Sequence, residues 1–143
     1  MSGAIFVDTN VLLYAVDLAH PQKHQLARHW RDTLWKTGQG RLSFQVLQEF
    51  YANVSRKWPK SMESARLEIE DLFTWQPVSI NADILRSSWK IQHRFGISFW
   101  DALIVAAAKA AQCSYLLSED FQAGLDLDGL RVVNPFQTHP DQI

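Results

Sequence analysis

Four carboxylic acids far apart in the sequence are the side chains best suited to carry chemistry: Asp8, Glu49, Asp101 and Asp120. Asp8, Glu49 and Asp101 fall at or near the start of a predicted helix, and Asp120 follows the end of a predicted strand. Carboxylate oxygens are the ligands that hard divalent cations bind. Without a cation, several carboxylates in one cleft would repel one another and raise one another's pKa. The pattern therefore favours a divalent-metal site, provided that the fold brings the four acids together.

The elements that would position these acids are short apolar strands separated by longer helices. We predict strands at residues 4–7, 41–44, 115–117 and 130–133, and a weaker one at 76–80, where Pro77 interrupts the pattern. The spacing of apolar residues predicts helices at residues 11–16, 22–36, 46–57, 61–73, 82–95 and 99–111. This alternation indicates an α/β fold, a three-layer α/β/α sandwich around a mainly parallel sheet. A length of 143 residues suits a single domain spanning 1–143.

The predicted topology can bring the acids to one edge of the sheet. Ligands of open α/β sheets bind beyond the carboxyl ends of the strands. Asp8 follows the first strand directly, and Asp120 follows the strand at 115–117 after two residues. Glu49 lies in the opening turns of the helix behind the second strand. Asp101 lies in the first turn of the most apolar helix, whose burial would place it against the sheet.

Two polar residues accompany the first and the last acid. Asn10 comes two residues after Asp8, and Ser118 comes two residues before Asp120. Hydrogen bonds from such residues orient metal ligands, and their loss typically costs roughly 10–100-fold in metal affinity or activity. A metal ion held there would lower the pKa of a coordinated water and stabilise charge on attacking and leaving oxygens.

Each acid also has a simpler structural interpretation. Asp8 and Asp120 would cap helices, which is common for Asp after a strand. Ser98 and Asp101 have the spacing of a capping box, and Glu49 would be a solvated helix residue. For any one acid this interpretation is the more frequent outcome. Four acids together at strand ends and helix starts are harder to explain in this way.

Composition limits the classes of function without choosing among them. The formal net charge is -1, with 14 Lys and Arg against 15 Asp and Glu, so binding to nucleic acid by bulk charge alone is excluded. A single cysteine, Cys113, excludes an internal disulfide framework and a cysteine-rich zinc site. No apolar stretch reaches the roughly 18 residues of a membrane span, and the N-terminal MSGAIFVD lacks a signal-peptide pattern. We therefore expect a cytoplasmic protein.

Four fragments of the sequence resemble the PIN-domain family, specifically the VapC-type toxins of bacterial toxin–antitoxin pairs. They are FVDTNVLLYA at 6–15, QVLQEF at 45–50, SFWDALIVAAA at 98–108 and LSEDF at 117–121. The resemblance spans nearly the whole chain in the family's order and spacing, and VVNPF at 132–136 is also typical. The first and third fragments are the most specific.

The resemblance implies a PIN-like fold, and it implies that six positions of this sequence correspond to site residues of the family. The family's acids, which are catalytic and bind the metal ion, correspond to Asp8, Glu49, Asp101 and Asp120, and their polar partners correspond to Asn10 and Ser118. The fourth acid is the loosest match, because Glu119 lies directly beside Asp120.

The activity that the resemblance implies is that of an endoribonuclease. Such an enzyme cuts single-stranded or looped RNA, often tRNA, with Mg²⁺ or Mn²⁺. The resemblance also implies a homodimer that is neutralised by a cognate antitoxin, a protein whose tail covers the acidic cleft.

Competing interpretations rest on other residues. The same fold could act as a non-catalytic module that binds RNA or a partner. A Mg²⁺ phosphatase would need an Asp-x-Asp motif, whereas Asp8 is followed by Thr9 and Asn10. His20 and His24 have an i, i+4 relation, but Pro21 intervenes and no acidic motif frames them.

Two surfaces are candidates for contacts with partners. Basic and aromatic side chains that would hold RNA phosphates, or would simply be solvated, are Arg28, Arg31, Lys36, Arg41, Arg56, Lys57 and Lys60, beside Trp35 and Trp58. An apolar set that would form either a dimer face or part of the core consists of Leu47, Tyr51, Leu67 and Phe73.

Overall fold

A mainly parallel sheet of five strands forms the centre of the computed structural model, which describes residues 3–143. The first two residues of the N-terminal segment considered above lie outside the described residues. In chain order, the strands are β1 (Ala4–Val7), β2 (Gly40–Arg41), β3 (Cys113–Leu117), β4 (Asp126–Leu127) and β5 (Leu130–Val133). Their order in the sheet is β2-β1-β3-β5-β4, and every neighbouring pair is parallel except β4 with β5.

The α-helices within residues 3–143 occupy most of the remaining chain. They are α1 (Thr9–Tyr14), α2 (Pro21–Thr37), α3 (Phe44–Lys57), α4 (Met62–Leu72), α5 (Ala82–Phe95) and α6 (Phe99–Ala110). Local signals set their ends, as α5 illustrates. Asn81 accepts a hydrogen bond from the Ile84 N–H at 3.0 Å and starts this helix, and Gly96 ends it in the left-handed conformation at φ 64°. Over the described range, none of the helices is both long and apolar enough to cross a membrane.

Helices cover both faces of the sheet, and this confirms the predicted sandwich. Ile5, Phe6 and Val7 of β1 are consecutive and at most 2% exposed. Successive side chains of a strand point to opposite faces, so both faces of β1 must be covered. Among the helices, α1 contacts α2 and α3, α3 contacts α4, and α5 contacts α6.

Two buried elements anchor the core around the sheet. Helix α6 buries seven consecutive residues, Ala102 to Ala108, as expected for a helix that is apolar on all sides. Trp30 of α2 is fully buried, and its indole N–H donates to the carbonyls of Pro135 and Thr138, each at 3.0 Å. These bonds tie α2 to the C-terminal segment.

Two of the predicted strands are wrong in the structure: the one at 41–44 is displaced and shortened, and the one at 76–80 is absent from the sheet. At 41–44, the strand ends early because the Ser43 hydroxyl accepts a hydrogen bond from the Val46 N–H at 3.3 Å and starts α3. At 76–80 there is no strand of the sheet, only an isolated parallel bridge between Ser43 and Val78.

The start of α1 and the presence of β4 also differ from the prediction. Helix α1 starts at Thr9 rather than at residue 11, because Asp8 is its N-cap. Strand β4 was not predicted at all. It has two residues, and its turn into β5 uses positive φ angles at Asp128 (56°) and Gly129 (99°).

Candidate active site

Asp8 lies at the carboxyl end of β1, where the chain turns into α1. Its N–H donates to the Leu117 carbonyl at the end of β3 at 3.0 Å. Its Oδ1 accepts from the Thr9 N–H at 2.8 Å, and its Oδ2 accepts from the Ser118 hydroxyl at 2.7 Å and from the Asn10 amide at 3.4 Å. The carboxylate is therefore fixed on both oxygens by groups from two neighbouring strand ends.

Burial dominates the electrostatics of Asp8, which is 5% exposed. Burial raises the pKa of its carboxyl group from 3.8 to about 6, although the hydrogen bonds from Ser118 and Thr9 act in the opposite direction. The charges of Asp120 and Glu49 contribute to this raised value in the same direction as burial. Ionising Asp8 in the folded protein therefore costs free energy unless a cation compensates its charge.

Asn10 connects Asp8 to the loop that follows β3. Its amide nitrogen lies 3.2 Å from the Ser118 hydroxyl oxygen and 3.2 Å from Asp120 Oδ2. Its own Oδ1 accepts from the Glu119 N–H at 3.4 Å. The Ser118 hydroxyl oxygen also accepts from the Asp120 N–H at 3.1 Å. Both polar residues that were predicted to orient the acids therefore contact acids, and their bonds link the segment after β1 to the segment after β3.

Glu49 reaches the same region from α3 and is held by two donors. The Thr9 hydroxyl donates to its Oε2 at 2.7 Å, and the Gln45 amide donates to its Oε1 at 2.9 Å. Because Thr9 directly follows Asp8, the bond from Thr9 fixes Glu49 beside Asp8. Glu49 is therefore not the solvated helix residue of the simpler interpretation.

Asp101 lies in the first turn of α6, and the Ser98 hydroxyl accepts a hydrogen bond from its N–H at 3.1 Å. Burial raises the pKa of the Asp101 carboxyl group, and the charges of Asp120 and Glu49 raise it as well, while Ser98 lowers it. Ser98 thus caps α6 as predicted, and the Asp101 carboxylate still interacts with the other acids. The capping and cluster interpretations are compatible at this position.

The four acids form one electrostatic cluster. The charges of Glu49 and Asp120 raise the pKa of both Asp8 and Asp101, which places all four in one region. Within residues 3–143, however, no group of three or more Asp, Glu, His or Cys side chains is arranged so that it could hold a metal ion. The four acids offer only carboxylate oxygens, the ligand type that hard divalent cations such as Mg²⁺ bind.

Glu119, the alternative fourth acid, is held in a different interaction. Its carboxylate accepts from the Lys23 ammonium at 2.8 Å. The same ammonium lies 4.7 Å from the centre of the Tyr14 ring and 5.1 Å from that of Phe136. Glu119 is thus engaged with α2, whereas Asp120 bonds to Asn10, which also contacts Asp8. The geometry favours Asp120 as the member of the cluster.

The sequence interpretation missed three residues that contact the acids: Thr9, Gln45 and Lys23. Gln45 precedes Glu49 by one helical turn, a spacing at which side chains of a helix meet, so a local signal existed. Thr9 contacts Glu49 across 40 positions of sequence, and Lys23 contacts Glu119 across 96. No local sequence pattern predicts contacts between residues so far apart in the chain.

The structure divides the apolar and the basic residues that were predicted to contact partners. Of the apolar set, Leu47 is 3% exposed and belongs to the core, whereas Leu67 is 63% and Phe73 is 44% exposed. Of the basic set, Arg31 donates two hydrogen bonds of 2.9 Å to the Glu68 carboxylate.

A cavity of about 430 Å³ lies between the end of α1, α3 and α4. Its lining includes Val16, Leu18, Phe50 and Trp58, but none of the four acids. The cavity and the acidic cluster are therefore separate features.

The fold resembles several solved structures. A toxin–antitoxin complex from Klebsiella pneumoniae has 21% identity, a TM-score of 0.66, and coverage of 92% of this chain and 97% of the other. FitAB bound to an IR36 DNA fragment has 21% identity, a TM-score of 0.68, and coverage of 92% and 95%. VapC20 of Mycobacterium tuberculosis, a Sarcin-Ricin loop cleaving toxin, has 20% identity, a TM-score of 0.62, and coverage of 79% and 87%. No curated protein matches the sequence.

The fold and the site together define an α/β/α protein with acidic side chains at the carboxyl edge of a mainly parallel sheet. The family model of the PIN domain matches residues 5–124, which include all four acids. The chain belongs to the PIN domain family.

Proposed function

We propose that this protein is a Mg²⁺- or Mn²⁺-dependent endoribonuclease that acts in the cytoplasm as the toxin of a toxin–antitoxin pair. The observation that carries the proposal is the electrostatic coupling of the four acids, because the charges of Glu49 and Asp120 raise the pKa of both Asp8 and Asp101. Such a cluster is unfavourable by itself and becomes favourable when a cation joins it. Oxygen donors favour Mg²⁺ or Mn²⁺ over softer metals.

The roles of the residues follow from their contacts. Asp8 and Asp101, each partly withdrawn from solvent, would bind the ion together with Asp120 and Glu49. Ser118 and Thr9 keep the acids oriented through hydrogen bonds of 2.7 Å to Asp8 and Glu49, respectively. When bound, the ion would activate water and stabilise the charge that develops on a phosphodiester.

The proposal also includes an RNA substrate and protein partners. VapC20 is named as cleaving the Sarcin-Ricin loop, which supports RNA as the substrate, with tRNA among the candidates. The Klebsiella pneumoniae structure is a toxin–antitoxin complex, which supports a cognate antitoxin as the partner. We also propose a homodimer. The exposed apolar side chains of Leu67 and Phe73 offer a surface for it.

A cleavage assay with a matched control tests the activity. The purified protein is incubated with total RNA and Mg²⁺ or Mn²⁺, and new 5′ ends are mapped. We expect cleavage by the wild type and by Asp71→Asn, which changes an exposed acid on α4 outside the cluster, and none by Asp8→Asn. RNA binding without cleavage by the wild type would instead support the non-catalytic binding module. Cleavage by Asp8→Asn at the wild-type rate would contradict the metal site.

A further inference from the structure

Lys23 is a cation that is fixed beside the acidic cluster. Its ammonium donates to Glu119 Oε2 at 2.8 Å, and the Glu119 N–H donates in turn to Asn10 Oδ1 at 3.4 Å. The Asn10 amide nitrogen contacts both Asp8 and Asp120. Lys23 is thereby linked to two of the four acids, although it lies on α2, an element that carries none of them.

The Lys23 ammonium is held in position from several sides. It lies 3.5 Å from the Tyr14 hydroxyl oxygen, 4.7 Å from the centre of the Tyr14 ring and 5.1 Å from that of Phe136. Tyr14 follows Asn10 by four positions on α1, so these two side chains share one face of the helix. The hydrogen bond to Glu119 raises the pKa of Lys23, which therefore stays charged at neutral pH.

The ion pair with Glu119 leaves the charge of Lys23 accessible. An ammonium has three donors, and the contact with the Tyr14 hydroxyl is at the limit of hydrogen-bond length, so the bond to Glu119 is the one short bond among the described residues. The Lys23 side chain is 41% exposed, so a further acceptor can approach it from solvent. Stability explains the ion pair only in part, because ion pairs this exposed contribute little to folding.

The substrate class of the proposed function carries acceptors that suit such a donor. The phosphate oxygens of RNA are anionic, and lysine binds phosphate as a point charge. The four acids repel phosphates, and a formal net charge of -1 supplies no general attraction for RNA. An RNA chain with one phosphate at the acids also carries a phosphate at each neighbouring nucleotide. A fixed lysine at the rim of the cluster can therefore hold one of these neighbours.

We propose that Lys23 binds a phosphate group of single-stranded RNA beside the acidic cluster and thereby guides the RNA chain to the acids. Glu119 and the rings of Tyr14 and Phe136 hold the ammonium in place for this contact. The inference rests on the proposed function for its choice of RNA as the ligand, but it requires no bound metal ion. It adds to the site a lysine that lies outside the predicted basic set.

RNA binding in EDTA tests the inference without metal and without cleavage. The probe is a short fluorescein-labelled oligouridylate, whose fluorescence anisotropy is measured with the full chain between about 50 and 200 mM KCl. We expect Lys23→Met to bind the probe roughly 10-fold more weakly than the wild type, because a charged hydrogen bond to phosphate is lost. The slope of log K against log[KCl] should become shallower by about 0.7, the contribution of one phosphate contact on a single strand.

Two variants control for charge alone. Lys90→Met removes an exposed positive charge on α5, which packs against α6, and should bind the probe as the wild type does. Lys23→Arg keeps the charge at the proposed contact and should keep the wild-type slope. A Lys90→Met variant that is weakened as much as Lys23→Met would show that only net charge matters, and this would overturn the inference.

A double variant separates phosphate binding from neutralisation of Glu119. Glu119→Gln alone should bind the probe at least as tightly as the wild type, because Lys23 loses a competing acceptor. If Lys23 binds phosphate, Lys23→Met/Glu119→Gln should bind clearly more weakly than Glu119→Gln. Equal binding by these two variants would mean that Lys23 only compensates the charge of Glu119, and the inference would be wrong. Urea unfolding confirms that each variant is folded.

The two proposals fail in different ways. A wild-type protein that binds the probe, together with a Lys23→Met variant of equal affinity and slope, refutes only the inference. A wild-type protein that does not bind the probe also refutes the inference. The proposed function is refuted separately, by a wild-type protein that leaves total RNA uncut in the presence of Mg²⁺ or Mn²⁺.

Discussion

Replacing Asp8 with Asn should stabilise the metal-free protein near neutral pH while destroying its activity. The substitution keeps the size of the side chain and an acceptor for the Thr9 N–H, which bonds to Oδ1 at 2.8 Å. It removes a negative charge that is 5% exposed and repelled by Asp120 and Glu49. Stability and activity should therefore change in opposite directions.

The size of the effect follows from the pKa of Asp8. Burial and the neighbouring acids raise it from 3.8 to about 6. At 1.36 kcal/mol per pH unit, this shift corresponds to about 3 kcal/mol of unfolding free energy. The Ser118 hydroxyl, which donates to Asp8 Oδ2 at 2.7 Å, would lose its charged acceptor, and this costs about 1 kcal/mol. We expect a net gain of about 2 kcal/mol at about pH 7.5.

The raised pKa of Asp8 also determines at which pH the Asp8→Asn variant is more stable than the wild type. Because the folded-state pKa is raised, Asp8 stabilises the fold fully below pH 3.8, and this stability is lost as the pH rises through about 6. Asn at this position does not titrate. The advantage of Asp8→Asn should therefore be largest above pH 6 and should largely disappear at about pH 4.

Urea unfolding in EDTA at the two pH values measures the difference, with Asp71→Asn as the control for an exposed acid. Adding Mg²⁺ should stabilise the wild type and leave Asp8→Asn nearly unchanged, because ligands stabilise only the state that binds them. An Asp8→Asn variant that is less stable than the wild type by the same amount at both pH values would show that Asp8 acts only as the cap of α1. That result would refute the reasoning.

Three further predictions concern the neighbours of the cluster and the core. Asp120→Asn should reduce RNA cleavage by more than roughly 100-fold, while Glu119→Gln should stay within about 10-fold of the wild type, in the same cleavage assay. Lys23→Met should lower the unfolding free energy by at most about 1 kcal/mol, since the Lys23 side chain is 41% exposed, and a larger loss in urea would contradict this. Trp30→Phe removes the donor to one buried and one partly buried carbonyl and should cost about 1–3 kcal/mol in urea unfolding, whereas an unchanged midpoint would refute the structural role of the indole N–H.

The elements that could be predicted were those with strong and uninterrupted local signals. The bounds of β1, α5 and β5 match the prediction, because an apolar run or an amphipathic period ends at a clear signal such as Gly96. The segment 41–44 was misassigned because its apolar pattern continues into α3, and the decisive event is a single hydroxyl, that of Ser43. β4 has only two residues, too few for any periodicity to appear.

The candidate site was predictable where topology alone determines position. Asp8 and Ser118 follow strands that pair in parallel, so their contact follows from the sheet. The contacts of Thr9 with Glu49 and of Lys23 with Glu119 depend on how helices pack over the sheet, and the sequence pattern fixes no such distances. The choice between Glu119 and Asp120 was left open for the same reason, and it turns on a lysine almost a hundred positions earlier. The catalytic role of these residues stays a prediction.

The contacts of Asp8 explain why an unfavourable cluster can persist in a stable fold. Every group bonded to its carboxylate is a donor: the Thr9 N–H, the Ser118 hydroxyl and the Asn10 amide. Donors favour the ionised form, while burial and the neighbouring acids oppose it more strongly. The fold therefore keeps the carboxylate oriented, although its ionised form is disfavoured in the absence of a cation. Under the proposed function, a bound cation would balance this charge, and the free energy of metal binding would then be coupled to the free energy of folding at this edge of the sheet.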